Sequence, residues 1–355
     1  MPATRRSKTS APRSRSAKPP RPPKDGGPRA AKPAQPSKAD SIIRIPGDVS
    51  TTVHVGDCRD LLKECAPGSV DLIYADPPFN WKREYDRVER VTGEAVRGNR
   101  VWDDALDTHD YMSFTLDWLD GCIRALGPRG ALWVNIPDDW AAEIVCYLKG
   151  LPILGRTVPQ RMTMINWCVW HYRFGQNVSG RFINSKVHVL YFVKDAARRV
   201  WNEEPILEPS DRATTYADAR TFQKKEGKSG LRVPMDVWYG KYWGRVQGNN
   251  KERRPGHDNQ IPEVYLERVI RACSNEGDLV LDPFLGSGTT CTVARELRRR
   301  SIGFEYSLAN ARSAAQRIAR PPLRVRYESP TVHINPIFPG RGAGKGPVEG
   351  LDDEG

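Results

Sequence analysis

From about residue 42 onward, short apolar runs alternate with stretches of helical periodicity. The runs 52–55, 70–75, 130–136, 163–170, 186–193, 278–281 and 301–304 read as strands. Each is a handful of aliphatic, β-branched or aromatic residues, most of them bounded by Gly, Pro or acidic positions. Helical spacing marks 59–65, 108–126, 139–149, 262–273, 289–299 and 308–319. In the second of these Phe114, Leu116, Leu119 and Ile123 fall near one stripe, and Gly127-Pro128 ends it. Strands alternating with helices predict an α/β protein with a largely parallel sheet.

Two internal regions and both chain ends break this rhythm. Residues 80–104 are charged and Gly-containing and read as a mobile loop. Residues 195–256 are polar and aromatic: Tyr216, Phe222, Trp238, Tyr239, Tyr242 and Trp243 accompany nine Lys/Arg and three acids between 223 and 254. Both chain ends are rich in Pro and Gly. The pattern divides the chain into a tail (1–41), a first α/β half (42–194), the aberrant region (195–256), a second α/β half (257–325) and a C-terminal tail (326–355).

Charge sharpens this division. The formal net charge is +12, and residues 1–38 carry +10 of it, with eleven Lys/Arg against Asp25 alone. So polar a segment buries too little apolar surface to offset its ordering entropy, and it reads as disordered. It is either a solvated linker or a sequence-independent grip on phosphates. No apolar run is long enough to span a bilayer, and no signal-peptide core is present. The seven cysteines are scattered singly, which argues against a disulfide framework and against a zinc site. The expectation is a reduced, soluble, cytoplasmic protein with no membrane partner.

Two strand ends carry the chemistry. In VDLIYADPPFN (70–80) a core strand stops on Asp76, followed by Pro77, Pro78 and Phe79. Taken alone this is also what a stiff, capped turn looks like. In DLVLDPFLGSGTT (278–290) a second strand stops on Asp282, and a turn with Phe284, Gly286 and Gly288 enters a helix at Thr289. Glycines allow close backbone approach to a ligand, and the helix start offers partial positive charge. The spacing is neither the full dinucleotide fingerprint nor a phosphate-binding loop. A third strand ends on Glu305, suitably placed to accept hydrogen bonds from a ribose. Together these describe a nucleoside-type pocket at the carboxyl edge of the sheet.

These motifs resemble those of S-adenosylmethionine-dependent DNA amino-methyltransferases. Asp76-Pro77-Pro78-Phe79 looks like the catalytic motif and Asp282-Pro283-Phe284-x-Gly286-x-Gly288 like the cofactor loop. Their order, with 195–256 between them, resembles the β class. Gly56-Asp57-Cys58 and the segment 257–263, which contains Pro262, are weaker matches. The resemblance covers about residues 50–320 and implies a doubly wound, mostly parallel, Rossmann-like sheet in circularly permuted order. Two departures stand out: Ile261 replaces the Lys usual before the proline, and Tyr306 replaces the acid that often follows the ribose-binding Glu.

The resemblance implies methyl transfer to an exocyclic amine of a base flipped out of double-stranded DNA. Such an amine is a poor nucleophile because its lone pair is delocalised. Asp76 and the Pro77 carbonyl would accept its two N–H groups, held in place by the prolines, while Phe79 stacks on the base. S-adenosylmethionine would meet Asp57 and Cys58 at its adenine, Glu305 at its ribose, and Phe284, Gly286, Gly288, Thr289 and Asp282 near its methionine part, with Pro262 as a further cofactor contact. Asp57 fits a helix N-cap equally well. The aromatics of 170–174 fit either a base pocket or core packing. Region 195–256 would recognise the target, with Lys251, Arg253, Arg254 and Arg245 as DNA contacts.

Asp76 favours adenine N6 over cytosine N4, whose enzymes more often begin this motif with Ser. A catalytically silent DNA-binding relative and a protein or RNA methyltransferase are the competing classes. The resemblance implies a bacterial or phage protein near the nucleoid. It leaves open whether the chain pairs with a second copy or with a cognate restriction endonuclease.

Overall fold

A computed structural model describes residues 42–82, 102–172, 178–223, 230–240, 243–246, 250–254, 256–257 and 259–323. Both tails, most of the loop expected over 80–104, and Arg173, Phe174, Lys241, Tyr242 and Asp258 lie outside the described residues.

The first half holds β1 (Ile42–Ile45), β2 (Thr51–Val55), α1 (Cys58–Glu64), β3 (Val70–Ala75), α2 (Thr108–Ala125), β4 (Leu126–Ile136), α3 (Asp138–Leu148), β5 (Thr163–His171) and β6 (Lys186–Val193). Short elements follow: β7 (Glu208–Pro209), α4 (Asp211–Thr214), β8 (Leu231–Arg232) and β9 (Val237–Trp238). The second half contributes α5 (Glu263–Cys273), β10 (Leu279–Asp282), α6 (Thr289–Glu296), β11 (Arg300–Glu305) and α7 (Leu308–Ile318).

Nine strands form one sheet in the order β1-β2-β11-β10-β3-β4-β6-β5-β9. The pairings from β2 through β11, β10 and β3 to β4 are all parallel, as is β5 with β9. Only β1 with β2, and β6 with both its neighbours, run antiparallel. The central strand β3 is buried along nearly its whole length, with Leu72, Ile73 and Ala75 inaccessible, as a strand covered on both faces must be.

One pairing positions the site. β3 and β10 lie side by side, Leu72 opposite Val280 and Ile73 opposite Leu281, although some two hundred residues separate them. Leaving β3, the chain crosses through α2 to β4; leaving β10, it crosses through α6 to β11, on the other side. Strand order therefore reverses between them, and a crevice opens beyond their carboxyl ends.

The region 195–256 is less separate than its composition suggests. β9 extends the main sheet, and Trp238 and Trp243 are buried around Tyr265, at ring-centroid distances of 5.2 and 6.2 Å. These aromatics fill core, whereas Tyr216 and Tyr239 stay exposed. Among the described residues no helix is long and apolar enough to cross a membrane.

Candidate active site

A cleft of about 1410 Å³ occupies the crevice. Asp76, Pro77, Pro78 and Phe79 line it from the end of β3; Asp282, Phe284, Gly286 and Thr289 line it from the end of β10; Asp57, Cys58 and Glu305 complete one wall. Its volume exceeds that of a typical single-ligand pocket. Two ligands can meet there.

Asp76 is half-buried at the floor. The Asn135 side-chain amide donates to its Oδ1 at 2.6 Å, and Tyr265 Oη reaches the Asn135 oxygen at 3.4 Å. Burial pushes the Asp76 carboxyl up to about 7; the Asn135 hydrogen bond and the Arg245 charge pull it down, and Asp282 pushes it up. Asn135 carries no motif of its own. Its only sequence signal is a polar residue inside the apolar strand GALWVNI.

The turn after Asp76 is held from outside. Tyr111 Oη donates to the Pro78 carbonyl at 2.6 Å, and Trp140 Nε1 to the Phe79 carbonyl at 3.1 Å. Asn80 sits at φ 59°, a conformation Asn tolerates, and buried Asp104 accepts the backbone N–H groups of Asn80 and Trp81, both at 2.9 Å. Of the three successive carbonyls at 77–79, only that of Pro77 meets no donor among the described residues.

The second turn is held by two carboxylates. Asp282 Oδ1 accepts the Phe284 N–H at 2.9 Å. Glu305 accepts the Gly286 and Ser307 N–H groups, each at 3.0 Å, which ties the glycine turn to the end of β11. Burial raises Asp282 to about 6 and Glu305 to about 7, against the pull of these same hydrogen bonds. Gly288 has φ 81° and precedes α6; a Cβ there would lie 3.2 Å from both Ala314 Cβ and Ile318 Cγ1, so glycine is required for packing as well as for the turn.

Buried Arg317 of α7 braces this turn from behind. Its Nη1 donates to Thr289 Oγ1 at 2.6 Å and Ser287 Oγ at 3.0 Å, and its Nη2 to Glu263 Oε1 at 3.0 Å. The α6 N-terminus has no side-chain cap, and Thr289 and Thr290 at its start line the cleft. That arrangement suits a carboxylate.

The remaining candidates are placed as follows. Asp57 caps α1 and also forks onto Arg59, with Oδ2 to Nη2 at 2.7 Å, while still lining the cleft. A carboxylate has lone pairs for both uses. Pro262 caps α5 and stands back from the cleft, whose wall is formed by Gln260 and Ile261 instead. Gly288 also lies behind the wall. Arg245 lines the cleft, with its guanidinium 4.6 Å from the Tyr172 ring centroid. Arg253 is exposed at the same cleft; Lys251 is exposed away from it, and Arg254 is half-buried, its N–H held by Gln260.

A family model described as DNA methylase matches residues 70–316, and the chain belongs to that family, the N6/N4 amino-methyltransferases, for which S-adenosylmethionine is the methyl donor. It is 32% identical over 256 residues to the type II methyltransferase M.BamHI of Bacillus amyloliquefaciens, covering 71% of this chain and about half (54%) of the relative. It is 30% identical over 257 residues to M.HpaI of Haemophilus parainfluenzae, covering 72% of this chain and 70% of that one. In fold it is similar to the solved structure of PvuII DNA methyltransferase, described as cytosine-N4-specific, with a TM-score of 0.50 at 16% identity over 78% of this chain and 88% of that one.

Proposed function

We propose that this protein transfers a methyl group from S-adenosylmethionine to the N6 amino group of adenine in double-stranded DNA. The observation that carries the reading is the pairing of β3 with β10, which brings the Asp76 turn and the glycine turn to one cleft.

The bound cofactor supplies an electrophilic methyl on a sulfonium. The residues at the second turn fit it: the uncapped start of α6 faces a carboxylate, Glu305 presents acceptor lone pairs beyond those used by Gly286 and Ser307, and Asp57 and Phe284 line the same wall.

On the other wall, Asp76 accepts one N–H of the target amine and the unoccupied Pro77 carbonyl accepts the other. Two acceptors below the ring plane draw the nitrogen toward tetrahedral geometry and free its lone pair for attack. As the N–C bond forms and the C–S bond breaks, positive charge grows on nitrogen, and the adjacent carboxylate stabilises it. Asp76, with its pKa near 7, is suited to receive the proton that nitrogen must then lose. Phe79, its own carbonyl pinned by Trp140, offers a fixed ring to the extruded base. An acid at the head of this motif favours adenine over cytosine. Arg245 and Arg253 at the cleft, and the exposed Lys251, supply charge for phosphates or base edges.

The test is Asp76→Ala. It is expected to bind S-adenosylmethionine as wild type does while methyl transfer to DNA falls by about 10²–10³-fold or more. Near-normal turnover would overturn the acceptor role.

A further inference from the structure

Between β5 and β6 the chain projects an apolar tip at the mouth of the cleft. Phe182 is 96% exposed and its neighbour Ile183 46%. Single apolar residues scattered over a surface are ordinary. These two are not scattered: they sit between Arg181 and Asn184, both of which line the cleft that holds Asp76. The Arg181 guanidinium donates to Asn184 Oδ1 at 3.0 Å, closing the base of the tip and turning the two apolar side chains outward. Arg181 adjoins the tip in sequence, and Arg245 and Arg253 line the same cleft, so the apolar tip and three cations border one opening.

We propose that Phe182 is a wedge that enters the base stack of duplex DNA at the step vacated by the target nucleotide. The inference rests on the methyltransferase reading above. Extruding a nucleotide leaves a gap with two unstacked base faces, and a flat apolar ring restores contact with both. The charge beside it identifies the occupant: the arginines suit a polyanion, whereas an apolar protein partner would gain nothing from them. Phosphate contacts hold the duplex in place and the ring holds the gap open. Phe182 is thus a positioning residue, and its loss should slow turnover without loosening the grip on DNA.

The experiment compares wild type, Phe182→Ala and Phe182→Trp on unmethylated plasmid DNA, measuring methyl incorporation, duplex affinity and sedimentation without DNA. The expected result is an Ala variant slower by about tenfold at saturating DNA, with affinity within about twofold of wild type, and a Trp variant that recovers the rate. An Ala variant with wild-type turnover, or one that loses affinity in proportion to rate, overturns the wedge. So does an Ala variant whose sedimentation shifts from dimer to monomer, which would assign the tip to a second copy of the chain. A wild-type protein that binds S-adenosylmethionine and DNA but transfers nothing overturns the methyltransferase reading itself, an outcome distinct from failure of the wedge alone.

Discussion

The Asn135 amide lies 2.6 Å from the Asp76 carboxylate, and it is the one side chain among the described residues that hydrogen-bonds directly to that carboxyl group. Asn135 sits on β4, the strand beside β3, so the sheet register itself aims this carboxyl group. Its bond favours the charged form of Asp76, against a burial that favours the neutral one. Only the ionised carboxyl offsets the positive charge growing on the amine nitrogen and can take up its proton, so kcat/KM should fall as pH drops below about 7. In Asn135→Ala the carboxyl loses its donor, its pKa rises, and this acidic limb should move to higher pH. Hydrogen bonds to charged groups contribute about 1.5–3 kcal/mol, so turnover near neutral pH should fall by about 10- to 100-fold. An acidic limb that stays in place would show that Asn135 does not act on Asp76.

Asp76 should also cost the fold something. Its folded pKa of about 7 lies above the ordinary aspartate value of 3.8. Below about pH 4 both folded and unfolded chains are protonated there, and the cost is absent. Between about 4 and 7 the folded state holds a proton that the unfolded state has lost, so stability declines as pH rises; above about 7 the full cost is present. Asp76→Asn should therefore match wild type in denaturant unfolding at pH 4 and exceed it at pH 8, by about 1–2 kcal/mol once solvent in the open cleft is allowed for. A variant that gains nothing at pH 8 would contradict the burial assigned to this group.

Arg317 touches the glycine turn from behind, and its loss should affect binding and stability together. Removing it takes away the Arg317 guanidinium that pairs with buried Glu263, which keeps the Leu323 N–H. Breaking such a pair typically costs about 3–5 kcal/mol. Arg317→Met should lower the melting temperature clearly and weaken S-adenosylmethionine binding, because Ser287 and Thr289 lose their common donor. The double variant Arg317→Met with Glu263→Gln should recover much of the stability but not the affinity. If affinity returns along with stability, the arginine is a structural residue only.

What could be read from the sequence was what is written locally. A strand ending on Asp76 and stiffened by two prolines, a second ending on Asp282 before a glycine turn, and Glu305 at a third strand end are each contiguous signals, and all lie where the sheet places them. β3 and β6 span the expected residues, the other elements the pattern named differ at their ends by a few residues, and the edge strand β1 was not expected. Helix α6 ends at Glu296 rather than near 299, where β11 begins at Arg300. Positions set by chain reversal and packing were not legible. Asn135, Arg317, Asp104 and Tyr111 act through partners 23 to 130 residues away and carry no local pattern. Trp238 and Trp243 looked like recognition-surface residues because polar sequence surrounds them, yet they pack on Tyr265. Pro262 attracted notice as part of a motif; its work is to start α5, and its neighbours form the wall.

The central claim is that a base amine and a methyl donor meet between Asp76 and the turn at 286–288. The most direct measurement is nucleoside mass spectrometry of unmethylated duplex DNA incubated with the protein and S-adenosylmethionine carrying an isotopically labelled methyl group. The account predicts labelled N6-methyldeoxyadenosine, absent from a parallel reaction with Asp76→Ala. Labelled N4-methyldeoxycytidine would keep the mechanism and correct the base. Unlabelled DNA from a protein shown to bind both ligands would contradict the account.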